Sequence, residues 1–231
     1  MSQPTSIGPY EIIAELGHGT TGIIYKARHP IQRDRLVALK TPRPSPDSER
    51  PWRRTCFRME CQLLARLTHE PNLHFASLYD VGAGLPGHPE GFYAREFIQG
   101  STLEQLATAR AITLRSGISI LASVAKAITL VHFQGFAHRN LHPSNVLVMT
   151  AGTPKLIGFG QVWLLAGTNL LPPGVPGVSA EVDVRGLQQM LDNLCAMLGQ
   201  SIPAPLEETR QPDPMPGVSR FAEALNDYLQ A

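Results

Sequence analysis

Ala137-His138-Arg139-Asn140-Leu141-His142-Pro143-Ser144-Asn145-Val146-Leu147, followed after one turn by Lys155-Leu156-Ile157-Gly158-Phe159-Gly160, is the stretch on which the reading of this 231-residue chain depends. Just before it, apolar residues dominate from Leu114 to Phe133, a span and pattern that predict a long helix. Just after it, Val146 to Met149 and Lys155 to Ile157 read as a short β hairpin around the turn Thr150 to Pro154. The quoted loop therefore joins a helix to a hairpin. His138 and His142 lie four apart, but in a loop rather than on a helix face, and no third ligand stands near, so no metal site is predicted. From Gln105 to Ala180 there is not one Asp or Glu. Nothing in this stretch supplies a carboxylate to act as a base or to hold a cation.

Toward the N-terminus the pattern changes to strands. Residues 10 to 41 alternate apolar and polar positions and break at Gly17 to Gly22 and Gln32 to Arg35, which predicts three strands joined by hairpins. A Pro-rich loop, Thr41 to Pro51, precedes an amphipathic helix in which Phe57, Leu63, Leu64 and Leu67 recur at helical spacing up to Thr68. Phe75 to Val81 and Phe92 to Ile98 carry further β signals around the Gly/Pro-rich insert Gly82 to Gly91. Within the first hairpin, Gly17-His18-Gly19-Thr20-Thr21-Gly22 is a G-x-G-x-x-G, where missing side chains let backbone amides approach phosphate oxygens. A strand rather than a helix follows it, which argues against the dinucleotide fingerprint. Eighteen residues after Gly22 comes Lys40, in Val37-Ala38-Leu39-Lys40, and twenty residues later Glu60 sits on the predicted helix, ahead of His69-Glu70-Pro71-Asn72. A Lys on a strand and a Glu on the helix facing it can form an ion pair that meets phosphates. The expected architecture is α+β and bilobal, with a strand-rich N-lobe of about residues 8–98 and a mainly helical, shortened C-lobe of about 101–231 forming one domain.

Composition narrows the classes. At 43% hydrophobic residues the chain can bury a substantial core, and 20 Lys and Arg against 19 Asp and Glu, without a long basic run, give no footprint for nucleic acid. Lys126 and His132 interrupt the longest apolar stretch, Gly117 to Phe133, so no membrane span is predicted. Met1 to Pro9 lacks the basic and apolar regions of a secretory signal. Cys56, Cys61 and Cys195 have neither an even count nor metal-ligand spacing, which points to a reducing, cytoplasmic setting.

Taken in order, the glycine loop, Lys40, Glu60, the loop 137–147 and Gly158-Phe159-Gly160 resemble the serine/threonine protein kinase family, in particular its bacterial members, where an opening like Ile7-Gly8-Pro9-Tyr10-Glu11-Ile12 is common. The resemblance runs from about Tyr10 to Leu194. It implies that Gly17, Gly19, Gly22, Ile24, Ala38, Lys40, Glu60, Glu96, Ile98, Asn145 and Leu147 line a site for ATP. It also implies a stacked spine of Tyr79, Leu64, His138 and Phe159, and a structural Asp at Asp183 holding the catalytic loop. Arg95 falls at the gatekeeper position. There it would crowd the adenine, or pair with Glu60, or, if the strand is slipped by one residue, face solvent.

The departures from the family lie where its chemistry is done. Asn140 stands where the resemblance implies an Asp that accepts the proton of the attacking hydroxyl, His142 where it implies a Lys, and Gly158 where it implies the Asp that holds Mg²⁺. Asn145, the family's other metal-contacting position, is kept. Only Gln161 to Ala166 separates Gly160 from Gly167-Thr168, and Pro172-Pro173-Gly174 replaces the family's Ala-Pro-Glu. The tail Asp213 to Phe221 carries Pro216-Gly217 about where an Arg-Pro is implied, so both members of an ion pair are gone together. Leu198 to Leu206 is too short for the helix the family usually has there. The reading is a catalytically inactive kinase-like regulator or scaffold. It has no catalytic residues, no metal site, a groove that binds ATP weakly without the usual Mg²⁺ or not at all, and a protein partner such as an active kinase or another signalling protein. The rival reading is a divergent, slow ATP-dependent serine/threonine kinase.

Overall fold

The computed structural model describes residues 4–19, 21–32, 34–42, 50–68, 74–82, 91–171, 174–210 and 217–231. The chain divides into two compact units, Met1–Pro71 with Ala76–Ile98, and Asn72–Phe75 with Gln99–Ala231.

The first unit is a curled sheet with one helix. Its strands are β1 (Ser6–Ile7), β2 (Tyr10–His18), β3 (Gly22–Arg28), β4 (Leu36–Pro42), β5 (Leu78–Gly82) and β6 (Phe92–Glu96), in the order β1-β2-β3-β4-β6-β5, all antiparallel. The helix is α1 (Arg50–Thr68). Strand alternation splits the sheet into two faces. One buries Ile7, Tyr10, Tyr25, Ala27, Val37, Leu39, Phe92 and Ala94. The other carries Ile24, Ala38, Lys40 and Tyr93, with α1 set on it through the stacked rings of Phe57 and Tyr93, 5.6 Å apart. Much of the predicted Pro-rich loop and of the Gly82 to Gly91 insert, and all of His69-Glu70-Pro71-Asn72, lie outside the described residues.

In the second unit, β7 (Gly100–Thr102) pairs with the hairpin β9 (Val146–Met149) and β10 (Pro154–Leu156), while β8 (Phe136–Ala137) pairs with β11 (Trp163–Leu164). The helices are α2 (Leu103–Thr108), α3 (Leu114–Phe133), α4 (Glu181–Leu198) and α5 (Val218–Gln230). Thr113 starts α3 by a reciprocal cap: its side chain accepts from the Ser116 amide and its own amide donates to the Ser116 hydroxyl. Gly117 weakens the helix backbone but lets α4 approach, since a Cβ there would lie 2.7 Å from Leu194 Cδ2. Gly199, left-handed at φ +67°, ends α4, and a 3₁₀ turn, Ala204–Arg210, follows.

Three expectations change. By length and composition α3 is long and apolar enough to cross a membrane, but Ile118, Leu121, Ala125 and Ile128 are fully buried within this unit, as in the core helix of a globular domain. The strand predicted from Phe75 begins only at Leu78. Phe75 instead bridges Leu156 in parallel and meets the Phe159 ring, 6.0 Å away, so it belongs to the second unit. Strand β6 ends at Glu96 rather than Ile98.

Candidate functional site

In the first unit, β4 places Lys40 opposite Tyr93 of β6 and Ile24 of β3, all on the face under α1. Lys40 and Glu60 are 5% and 2% exposed, and Lys40 Nζ donates to Glu60 Oε2 at 2.5 Å and to Thr21 Oγ1 at 3.0 Å. Two of the three ammonium N–H groups are thus used, leaving one for a ligand. The other carboxylate oxygen, Oε1, accepts from the Tyr93 hydroxyl at 2.9 Å. Burial first, and the Glu60 charge second, hold the Tyr93 phenol well above its ordinary pKa, so it remains a donor. A buried pair of this kind is stabilised when its other polar atoms find partners, which Thr21 and Tyr93 supply for all but one ammonium N–H.

Gly22 is required by this cluster. A Cβ on it would fall 2.4 Å from the Thr41 carbonyl oxygen and 2.8 Å from Lys40 Cε. Around Gly17 and Gly19 the same test meets nothing within 4 Å, and the Gly19 amide donates to the Gly22 carbonyl at 2.8 Å, closing the turn. The space there is open, while the amide is already spent on the hairpin. Farther along β6, Glu96 donates its amide to the Ser77 carbonyl at 2.8 Å, and its carboxylate accepts from the Ser77 amide at 3.3 Å. Ile98 is buried.

The second unit holds the loop 137–147. Asp183, on α4 and fully buried, is its anchor. One carboxylate oxygen accepts from the His138 amide at 2.8 Å and from His132 Nε2 at 2.8 Å, the other from the Arg139 amide at 2.7 Å. Burial by itself would raise the Asp183 pKa. The His132 hydrogen bond, the His138 charge and the two amides outweigh it and hold the carboxyl below its ordinary value. This grip keeps Arg139 left-handed at φ +62°, a strained conformation for a residue with a side chain. The His138 and Phe159 rings meet edge-on, 4.8 Å apart.

Around the degenerate positions the contacts are neutral. Asn140 Nδ2 donates to the Gly158 carbonyl at 3.3 Å, and Asn145 Nδ2 donates to the Asn140 carbonyl at 2.8 Å. Gly158 is left-handed at φ +84°, and a Cβ on it would lie 2.5 Å from both Cγ and Oδ1 of Asn145. The room a longer side chain would need at 158 is therefore filled by the residue at the family's other metal-contacting position. His142 is exposed, accepts from the Ser144 amide at 3.2 Å through Nδ1, and caps the 3₁₀ turn Pro143–Asn145. Leu147 lies on β9 opposite Lys155 and Thr102. Beyond Gly160 the chain folds back on itself: the Ala166 amide donates to Val178, the Val178 amide to Leu164, and Thr168 Oγ1 to the Leu165 carbonyl at 3.0 Å. Pro172-Pro173 and Asp213 to Pro216 lie outside the described residues.

Chemically, the first unit offers a paired cation with one free donor. The second offers no side chain to accept a proton from a hydroxyl at positions 140 or 158, since a carboxamide is not a base and glycine has no side chain. Among the described residues no three His, Cys, Asp or Glu side chains gather as a metal site.

Two placements correct the sequence reading. Tyr79 packs with the Tyr10 and Leu39 face of the sheet, under the Arg35 guanidinium at 4.0 Å, and so leaves the predicted spine. An irregularity between Leu78 and Asp80 shifts the alternation, and Leu78, opposite Arg95, takes the other face. Arg95 is 8% exposed, so it does not face solvent, and it does not pair with Glu60, whose oxygens are taken by Lys40 and Tyr93. Tyr93 escapes the sequence reading altogether. A Tyr inside an apolar strand gives no local signal of a partner 33 residues away.

The sequence is similar to that of known protein kinases. The protein kinase domain family matches residues 10–171. The probable serine/threonine-protein kinase PknB of Lactococcus lactis is 32% identical over 162 residues, 70% of this chain and 25% of that protein. The DNA damage-responsive serine/threonine-protein kinase RqkA of Deinococcus radiodurans is 31% identical over 191 residues, 78% of this chain and 27% of that protein. The serine/threonine-protein kinase PrkC of Bacillus subtilis is 30% identical over 165 residues, 71% of this chain and 24% of that protein. The chain thus spans about a quarter of the length of these relatives.

Proposed function

This chain belongs to the protein kinase domain family, in its bacterial serine/threonine type, and from that premise we propose that it is a catalytically inactive member that regulates or scaffolds a signalling partner. The observation that carries the reading is the neutral network of the second unit. Asn140 binds the Gly158 carbonyl through an N–H that an aspartate would lack, and Asn145 fills the space beside Gly158. The two family carboxylates are not merely absent; their surroundings are occupied by contacts that suit the replacements. General-base loss alone costs about 10²–10⁴ in rate, and phosphoryl transfer depends on charge neutralisation that a missing metal ligand removes.

ATP is the ligand the family implies, and the first unit is the half that suits it. Lys40 keeps a free donor, and Gly17 and Gly19 leave open space. At position 158 the residues do not suit a metal held in the family's manner. The proposal therefore includes weak nucleotide binding without Mg²⁺, a protein partner of the signalling class, and a cytoplasmic setting in keeping with an odd count of three cysteines. Purified protein with radiolabelled ATP, Mg²⁺ or Mn²⁺ and a generic protein substrate is expected to transfer no γ-phosphate to substrate or to itself, and Asn140→Asp with Gly158→Asp is expected not to restore transfer. Robust autophosphorylation would overturn the proposal. The intact Lys40–Glu60 pair favours one rival, a slow divergent kinase. Transfer that disappears in Lys40→Met would establish it.

A further inference from the structure

The sheet face under α1 carries a charge that the family comparison does not explain. Arg95 of β6 stands directly across from Ala38 of β4 and Leu78 of β5, and it shares its face with Lys40 and Tyr93. It is 8% exposed. Among the described residues no hydrogen bond or ion pair reaches its guanidinium. The carboxylate of this cluster, Glu60, is committed to Lys40 and Tyr93. Lys26, on the same face, is partly exposed and sits 4.9 Å from the centre of the Phe97 ring. Lys40 and Arg95 against Glu60 leave one surplus positive charge on this face. A lysine could shed such a charge by losing its proton, but a guanidinium does not deprotonate in proteins. The field of Arg95 is felt at the Tyr93 hydroxyl, where it opposes burial and the Glu60 charge, so the guanidinium lies within electrostatic reach of the cluster.

No Arg95 nitrogen is both enclosed and unpartnered, so the guanidinium keeps an edge open to solvent and to an anion. We propose that Arg95 is an anion receptor which, together with the free donor of Lys40, binds a phosphate group of a ligand without a divalent cation. The planar fork of Arg matches two phosphate oxygens at once, a geometry Lys cannot reproduce. A fixed positive charge at 95 also supplies within the first unit part of the neutralisation that a metal provides in kinases. The inference rests on the reading that this face holds a nucleotide, and it assigns the charge that would hold it. The shared chemistry is a phosphate chain, supplied either by a nucleotide or by free polyphosphate.

The test is a thermal-shift titration of the full chain in EDTA with ATP and, separately, with inorganic tripolyphosphate. Wild-type protein is expected to be stabilised without metal, and added Mg²⁺ is expected not to strengthen binding. In Arg95→Met the apparent affinity is expected to fall about tenfold to a hundredfold, the loss expected for a charge-assisted contact. The melting temperature without ligand should stay level or rise, because no partner is lost. Arg95→Gln provides the same readout should Arg95→Met fold poorly. Stabilisation by both ligands assigns the site to the phosphate chain alone, and by ATP only to the nucleotide; either supports the proposal when it depends on Arg95. Equal ATP binding by wild type and both variants would overturn the role of Arg95 and leave nucleotide binding standing. No shift with either ligand would overturn both.

Discussion

In the first unit Lys40, Glu60 and Tyr93 form a buried, charged cluster in which both carboxylate oxygens are paired; in the second, Asn140, Asn145 and Gly158 form a neutral one held by carboxamides and by the lack of a side chain. The match to one protein family covers both, yet only the first is built from charged side chains. A buried ion pair is hard to dismantle one residue at a time, because either single loss strands a charge in a low dielectric. Exchanging Asp for Asn or Gly instead removes a charge and releases its neighbours from the need to balance it. Stability therefore protects the Lys40 cluster whether or not it still binds a ligand, whereas packing at 140 and 158 is compatible with neutral residues.

The largest effect should come from the anchor that has kept its charge within the second unit. Asp183→Ala would leave three donors unmet and is expected to cost more than about 4 kcal/mol in urea unfolding, or to prevent folding. The sign of its pH dependence is set by its lowered pKa in the fold. The contribution of Asp183 is present above the ordinary carboxylate range and is lost as pH falls through the still lower folded value, so wild type should lose more stability on acidification to about pH 3 than Asp183→Asn does. Next, Lys40→Met should destabilise by about 3 kcal/mol by leaving Glu60 charged and buried. A loss near zero would break the comparison, since it would mean the first cluster is no more constrained than the second.

Gly158→Ala should cost about 1–3 kcal/mol, from the left-handed backbone and the displaced Asn145. Asn140→Asp should cost about 1 kcal/mol, because a carboxylate would then face the Gly158 carbonyl. Both would show as lowered midpoints in chemical denaturation. Gain of stability in either would show that the neutral network is a scar rather than a fit. Smallest of all, Arg28→Ala removes an exposed ion pair with Glu11 and should change stability by no more than about 0.5 kcal/mol.

The larger elements are legible in the sequence because they follow from neighbours in the chain. Alternation across residues 10–41 and the glycine spacing point to β2, β3 and β4, and apolar continuity points to α3 with the bounds Leu114–Phe133. The pairing of Lys40 with Glu60 is legible too, through the family resemblance, in which a strand Lys and a helix Glu in this order form an ion pair. The two-residue strands β1, β8 and β11 leave no such trace, since a run that short has no period. Tyr79 falls on the wrong face for a related reason: one irregular residue before Asp80 reverses the alternation from which its placement follows.

By itself, the sequence determined the α+β class, the order of the motifs and, through the family resemblance, the departures at Asn140, His142 and Gly158, because residue identity and short-range periodicity are properties of adjacent positions. Only the tertiary structure decided that Tyr93 completes the Glu60 carboxylate, that Asn145 occupies the space beside Gly158, and that Arg95 is buried with no partner among the described residues. Each of these depends on which group the chain brings back across a sheet or a loop, and hydrogen bonds and charges are satisfied in space, without regard to separation along the chain.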